Sequence, residues 1–317
     1  MLGAVNSANW HHQTEVLIPQ VGWTNGEEQH YTNRTANSFV DNKGHLNIVA
    51  KSETYTDQGL TKKYTSARLN SKFAFTYGRI DVRAKLPIAA GTWPAIWTLG
   101  KNISERGWPA CGEIDIMEHG IFPGEDIDYI NSALHTPCCH AGNPNQGGTI
   151  ATNLDDEFHV YSLNWSPDQI TFILDGVGFY TYNPVVKDAN TWPFFEDQFI
   201  LLNVAIGGIA GSIAPGFVQG AMVIDYVRVY QNSIVNATDQ NTINHQVQVY
   251  PNPANDLINI TSAIKPTSIL LYNAFGKKIR NIKENTSQID VSDLDAGVYF
   301  IEVLINYKRL IKKIIIL

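Results

Sequence analysis

The chain has 317 residues, a formal net charge of -7 and 44% hydrophobic residues, enough for two packed domains with a real core. No apolar run approaches the roughly eighteen residues of a membrane span. Residues 247–317 hold nine Lys/Arg against six Asp/Glu, which leaves fourteen against twenty-four elsewhere, and so acidic a body disfavours nucleic acid, anionic lipid and sulfated polysaccharide.

The first residues, Met1-Leu2-Gly3-Ala4-Val5-Asn6, lack the charged and apolar regions of a signal peptide. From 10 to 34 come Trp10, Trp23, Glu27, Glu28 and Gln29-His30-Tyr31-Thr32-Asn33-Arg34, a polar and aromatic mixture that predicts loops at the rim of a cleft. Taken alone, Asn33 fits a turn asparagine bonding its own backbone. From 38 to 86, Phe39-Val40, His45 to Ala50, Ser66 to Asn70 and Gly78 to Leu86 alternate with period two between turn residues, which predicts an all-β chain. No helix of three turns is predicted. Arg83 lies on the polar side of the last of these strands, where a lone arginine more often makes a surface ion pair.

Trp93, Trp97 and Trp108 follow within sixteen residues. Their flat apolar faces make strong anchors, in a core or for a ligand; one of the three is expected in the core, and Trp97 and Trp108, each before a strand end near the acids that follow, are the two expected in a cleft. Then comes Gly112-Glu113-Ile114-Asp115-Ile116-Met117-Glu118-His119, three carboxylates in six residues that are otherwise apolar. On a helix they share no face. On a strand Glu113 and Asp115 share one face, and Glu118 joins them only if one extra residue bulges out between Asp115 and Glu118. Acids so crowded raise one another's pKa, which suits a glycosidase with one ionised and one protonated carboxyl. A calcium site or a solvated acidic edge are the alternatives for the octet alone.

Residues 119–153 are rich in Pro and Gly and predict loops, with Ser132-Ala133-Leu134-His135-Thr136 as a short strand beside the acids. A strand, a Ser-Pro-Asp turn and a second strand follow over 159–176, and Phe199 to Ile206 and Met222 to Tyr230 close the body. The segment 232–246 is rich in Asn, Thr and Gln and reads as a linker. A second unit, 247–317, runs from Val249-Tyr250-Pro251-Asn252-Pro253-Ala254 to Lys312-Lys313-Ile314-Ile315-Ile316-Leu317. Cys111, Cys138 and Cys139 make no disulfide framework; the adjacent Cys138 and Cys139 would bond each other only with strain, Cys111 could meet one of them, and free, buried thiols are the expected state.

Trp93-Pro94-Ala95-Ile96-Trp97-Thr98-Leu99-Gly100 followed by Trp108 to Glu118 resembles glycoside hydrolase family 16 in its laminarinase, or endo-1,3-β-glucanase, branch, over about residues 9 to 231. The resemblance implies a β-jelly-roll sandwich with a glycan cleft on its concave face and a β-glucan as partner. It implies Glu113 as nucleophile, Glu118 as acid and base, and Asp115 between them. It places Asn33, Arg83, Trp93, Trp97, Trp108, His135 and Asn203 on the substrate side, and Asp225 with the Gly44 carbonyl at a structural calcium; no cofactor is required for chemistry. Family members usually begin with a strand carrying Asp-Glu-Phe, so the chain is expected to start late, without a secretion signal it once had. Lichenase-type members usually lack the extra residue between the acids, and enzymes of agar or carrageenan would be expected to show a basic cleft. A lectin-like binder has no need of the three acids.

Three marks of the second unit, the Val249 to Ala254 opening, Leu270 to Lys278 and Leu294 to Ile301, with the basic apolar end, resemble the C-terminal sorting domain of the type IX secretion system. That implies a secreted or cell-surface protein with the secretion machinery as a partner. A small β-sandwich and a monomeric chain are expected.

Overall fold

The structure, a computed structural model, describes residues 3–19, 21–120, 128–231, 247–262, 266, 268–274, 276–282, 286–305 and 308–317. The chain forms two compact units, Met1–Asn232 and Ser233–Leu317. The expected linker at 232–246 lies outside the described residues.

The first unit is a β-sandwich. One sheet runs, in spatial order, Trp10–His12, Arg68–Phe75, Gln198–Ile206, Thr92–Gly100, Glu113–His119, Tyr129–His135 and Asn145–Ile150. The other runs Val177–Tyr182, Ile170–Leu174, His159–Trp165, Gly78–Lys85, Gln219–Tyr230, Leu46–Asp57, Leu60–Ser66 and Gln29–Tyr31, with Ser38–Val40 also paired to Leu46–Asp57. Neighbours are antiparallel except Gln29–Tyr31, which runs parallel to Leu60–Ser66. Strands distant in sequence adjoin at the middle of both sheets, where Arg68–Phe75 meets Gln198–Ile206 and Gly78–Lys85 meets Gln219–Tyr230, as in a jelly roll.

Alternation drives this arrangement. Ile80, Val82 and Ala84 of one sheet and Ile96, Ile114, Leu202 and Val204 of the other fall in a single core cluster, each with no exposed surface. Each buried Val, Leu or Ile contributes about 1.5–3 kcal/mol, while the intervening residues take the outer faces. Helix is confined, among the described residues, to Ile103–Arg106 and a 3-10 turn at Gly208–Ala210.

Three stretches expected as loops are strands. Trp10–His12 pairs with Arg68–Phe75, and Gln29–Tyr31 is buried along its length. Asn145–Ile150 pairs with Tyr129–His135 despite two glycines. They are needed there: a Cβ on Gly148 would stand 2.0 Å from the Tyr129 hydroxyl, and one on Gly147 2.6 Å from the Tyr180 ring.

The second unit has its own core. Val247–Tyr250, Leu257–Ser262 and Gln288–Asp290 form one sheet, and Lys278–Ile282, Ser268–Asn273, Gly297–Ile305 and Lys308–Ile316 the other. Ile258, Ile269, Leu271, Ile301, Val303 and Ile314 from both pack together.

Candidate active site

The strand Glu113–His119 carries the bulge that its parity demanded. Toward Thr92–Gly100 the register runs Trp97 to Asp115 and then Ile96 to Met117, which skips Ile116. Toward Tyr129–His135 it shifts between Asn131, opposite Glu118, and Ala133, opposite Asp115. Ile116 and Met117 are consecutive, yet both belong to the core. The extra residue therefore returns Glu118 to the face of Glu113 and Asp115. Ser132 Oγ donates to the Ile116 carbonyl at 2.7 Å and satisfies a group the bulge takes out of the ladder. Just before the strand, Gly112 has φ +77, and a Cβ there would stand 3.0 Å from Phe194 and Pro193.

Neighbouring strands supply the walls. Asn131, Glu118, Ala95, Asn203 and Arg68 lie in register across five adjacent strands. Trp93 Nε1 donates to Glu118 Oε1 at 3.0 Å, and Trp108 Nε1 to Glu113 Oε2 at 3.0 Å. His135 Nε2 lies 3.1 Å from Asp115 Oδ2 and 3.7 Å from Glu113 Oε1. The nearer contact is not aligned as a hydrogen bond, so Asp115 Oδ2 is a buried acceptor without a hydrogen-bond partner. The Ala141 N–H points at His135 Nδ1 at 3.1 Å, which leaves the imidazole proton on Nε2, toward the acids.

Burial pushes all three carboxyls up, each to about 8. The charge of Asp115 raises Glu113 and Glu118 further, while His135 opposes the rise in both. Arg68 also opposes it in Glu113, as do the Trp93 and Asn131 hydrogen bonds in Glu118. Groups this close titrate as a set. Near neutral pH the set therefore keeps protons that isolated carboxyls would have released.

Most sequence-predicted residues meet here. Trp93, only 8% exposed, is both core and site, since its ring packs on Ala205 and Ala210 while its N–H reaches Glu118. Trp97 is half-buried and donates to Asn203 Oδ1 at 2.7 Å, whereas Trp108 is 44% exposed. Asn33 stays exposed just beyond Gln29–Tyr31, without a side-chain bond to the acids.

Arg83 is a correction. It alternates with Val82 and Ala84 of the core in a strand of the opposite sheet, so it takes that sheet's outer face. There it pairs with Asp225 at 2.6 Å and covers the Phe158 ring. The same pair bears on calcium. Gly44 and Asp225 line one surface depression, but Asp225 is its sole carboxylate and already has a guanidinium on Oδ2. Calcium takes about six to eight oxygens, and the residues present do not fit it.

Sequence reasoning missed a buried polar chain beneath Trp97. Tyr31 OH accepts from Asn203 Nδ2 at 3.1 Å and donates to Glu27 Oε2 at 3.0 Å, which also accepts from Gln29 Nε2 at 2.7 Å. Burial raises the Glu27 pKa, opposed first by Arg68. Arg68 itself lies 4.6 Å over the Trp97 ring and 5.2 Å over Trp23. A charged residue in the alternating stretch Ser66 to Asn70 was the available signal.

Comparisons with known proteins agree with this geometry. Residues 25–228 match the family described as glycosyl hydrolases family 16, and residues 248–317 match a secretion system C-terminal sorting domain. A beta-glucanase of Rhodothermus marinus is 36% identical over 224 residues, 66% of this chain and 76% of the relative. The structure of LamA from Zobellia galactanivorans with laminaritriose and laminaritetraose is 43% identical, covering 73% of this chain and 95% of that one, with a TM-score of 0.64. A laminarinase from Flavobacterium sp. UMI-01 is 36% identical, covering 72% and 95%, with a TM-score of 0.64. The sorting domain marks a secreted or cell-surface protein. With two thirds of its length matched and three acids on a bulged strand, the chain belongs to glycosyl hydrolases family 16 and is a glycosidase.

Proposed function

We propose that the protein is a retaining endo-hydrolase of β-1,3-glucosidic bonds in laminarin-type glucans. The observation that carries the reading is the bulge at Ile116, which sets Glu113, Asp115 and Glu118 on one face. Glu113 attacks the anomeric carbon. Glu118 gives its proton to the departing oxygen and then takes one from water. Asp115, between them, tunes their proton affinities, since its ionised form raises the pKa of both, and helps hold the nucleophile in place. Trp108, partly exposed beside Glu113, offers a ring face to the sugar. Residues 1–231 form the catalytic unit and 247–317 the sorting unit, joined through 232–246.

The acid-lined face favours a neutral glucan over a sulfated one, and the laminarinase relatives support the β-1,3 linkage. The test is release of reducing ends from laminarin, lichenan and agarose side by side, with the products read for anomeric configuration. Laminarin cleavage to β-anomers supports the reading. Preference for lichenan would move it to mixed-linkage glucans, and binding without cleavage would leave a lectin-like module.

A further inference from the structure

Cys138 and Cys139 sit in the turn that follows His135, and neither is buried as the sequence suggested: Cys138 is exposed and Cys139 half-buried, while Cys111 is enclosed. Their Sγ atoms stand 2.6 Å apart, closer than unbonded sulfurs settle. The turn is tightly tied. Thr136 N–H donates to the Cys139 carbonyl at 2.9 Å, Cys139 N–H returns to the Thr136 carbonyl at 3.0 Å, and Cys138 N–H donates to Asn190 at 3.0 Å. It ends in Ala141, whose N–H fixes His135 Nδ1. His140, beside it, packs edge-on against Trp108, ring centroids 5.4 Å apart.

We propose that Cys138 and Cys139 form a vicinal disulfide in the exported protein, and that this bond fastens the turn that seats His135 against the acids. Three observations converge on it: two accessible thiols in contact, a sorting domain that sends the chain to a compartment where disulfides persist, and a third cysteine locked in the core. The chemistry is thiol–disulfide exchange. The exposed Cys138 thiolate attacks the sulfur of a disulfide oxidant, such as oxidised glutathione, and one thiol leaves. Cys139 then displaces the second thiol as the Cys138–Cys139 bond closes; the two cysteines lose two protons and two electrons, and the oxidant gains them. Adjacent Cα atoms stand about 3.8 Å apart, below the usual roughly 4.4–6.8 Å of a disulfide. Such a bond is readily reduced, which makes the turn responsive to external thiols.

The test uses the full chain incubated with oxidised glutathione, then unfolded and alkylated. Of its 3 cysteines, one accepts a label without reductant and all accept it after reduction, and the unreduced peptide spanning 138–139 is lighter by two hydrogens. Three labels without reductant, a link to Cys111 or a chain-to-chain dimer would overturn the bond. On laminarin, mild reductant is expected to lower kcat roughly two- to tenfold, and the Cys138→Ser/Cys139→Ser variant to sit at the reduced level and ignore reductant. A kcat indifferent to reductant in protein whose mass shows the bond would overturn the seating role. The turnover arm rests on the proposed hydrolase function, whereas the mass arm does not.

Discussion

Ser132 Oγ donates to the carbonyl of Ile116 at 2.7 Å, so the one residue that the acid-bearing strand has in excess is held from the neighbouring strand. Both groups are buried. Ser132→Ala leaves that carbonyl unpaired, a cost of about 1–3 kcal/mol. Thermal unfolding should fall by several degrees, and kcat should fall further than folded protein accounts for, because Glu118 loses its direction. Unchanged kcat in Ser132→Ala would show that the bulge holds without it.

Stability should depend on pH through the three carboxyls. Their folded pKa values are raised to about 8. The folded state therefore holds protons that the unfolded chain releases near pH 4, and stability drains away as pH rises from about 4 to about 8, at about 1.4 kcal/mol per unit for each proton held. Glu118→Gln cannot ionise, so its melting temperature should match the parent at pH 4 and exceed it at pH 8. Melting curves across that range test it, and parallel curves would contradict the coupling.

His135 holds the Glu113 pKa down. His135→Ala should raise it, moving the acidic limb of the kcat/KM profile to higher pH and lowering activity at pH 6, by about tenfold for each unit the limb moves. A uniform loss without a moved limb would assign His135 a packing role only.

Trp93 lowers the Glu118 pKa through its N–H. Trp93→Phe keeps an aromatic ring at the site and removes the donor, so the basic limb should move to higher pH. The pH profile, with a melting curve as control, reads this directly.

The sequence carried the centre of the site because parity is a local property. Glu113, Asp115 and Glu118 lie within one strand, and period two alone required the residue that Ile116 supplies. The buried chain from Glu27 through Tyr31 to Asn203 and Trp97 could not be read the same way. Tyr31 and Asn203 are 172 positions apart, and no spacing joins them. Arg83 went astray for a related reason: alternation put it correctly on a polar face, but nothing local says which sheet that face belongs to. Asn145–Ile150 hid because Gly147 and Gly148 serve ring packing there, where the rule for glycine is a turn.

The most direct test of the mechanism is azide rescue with an aryl β-laminaribioside. Azide should revive Glu113→Ala and give the α-glycosyl azide, since the anion takes the nucleophile's place, and should revive Glu118→Ala to give the β-glycosyl azide by opening the covalent intermediate. The opposite pairing of anomers, or full hydrolysis by either variant without azide, would contradict the roles assigned to the two glutamates.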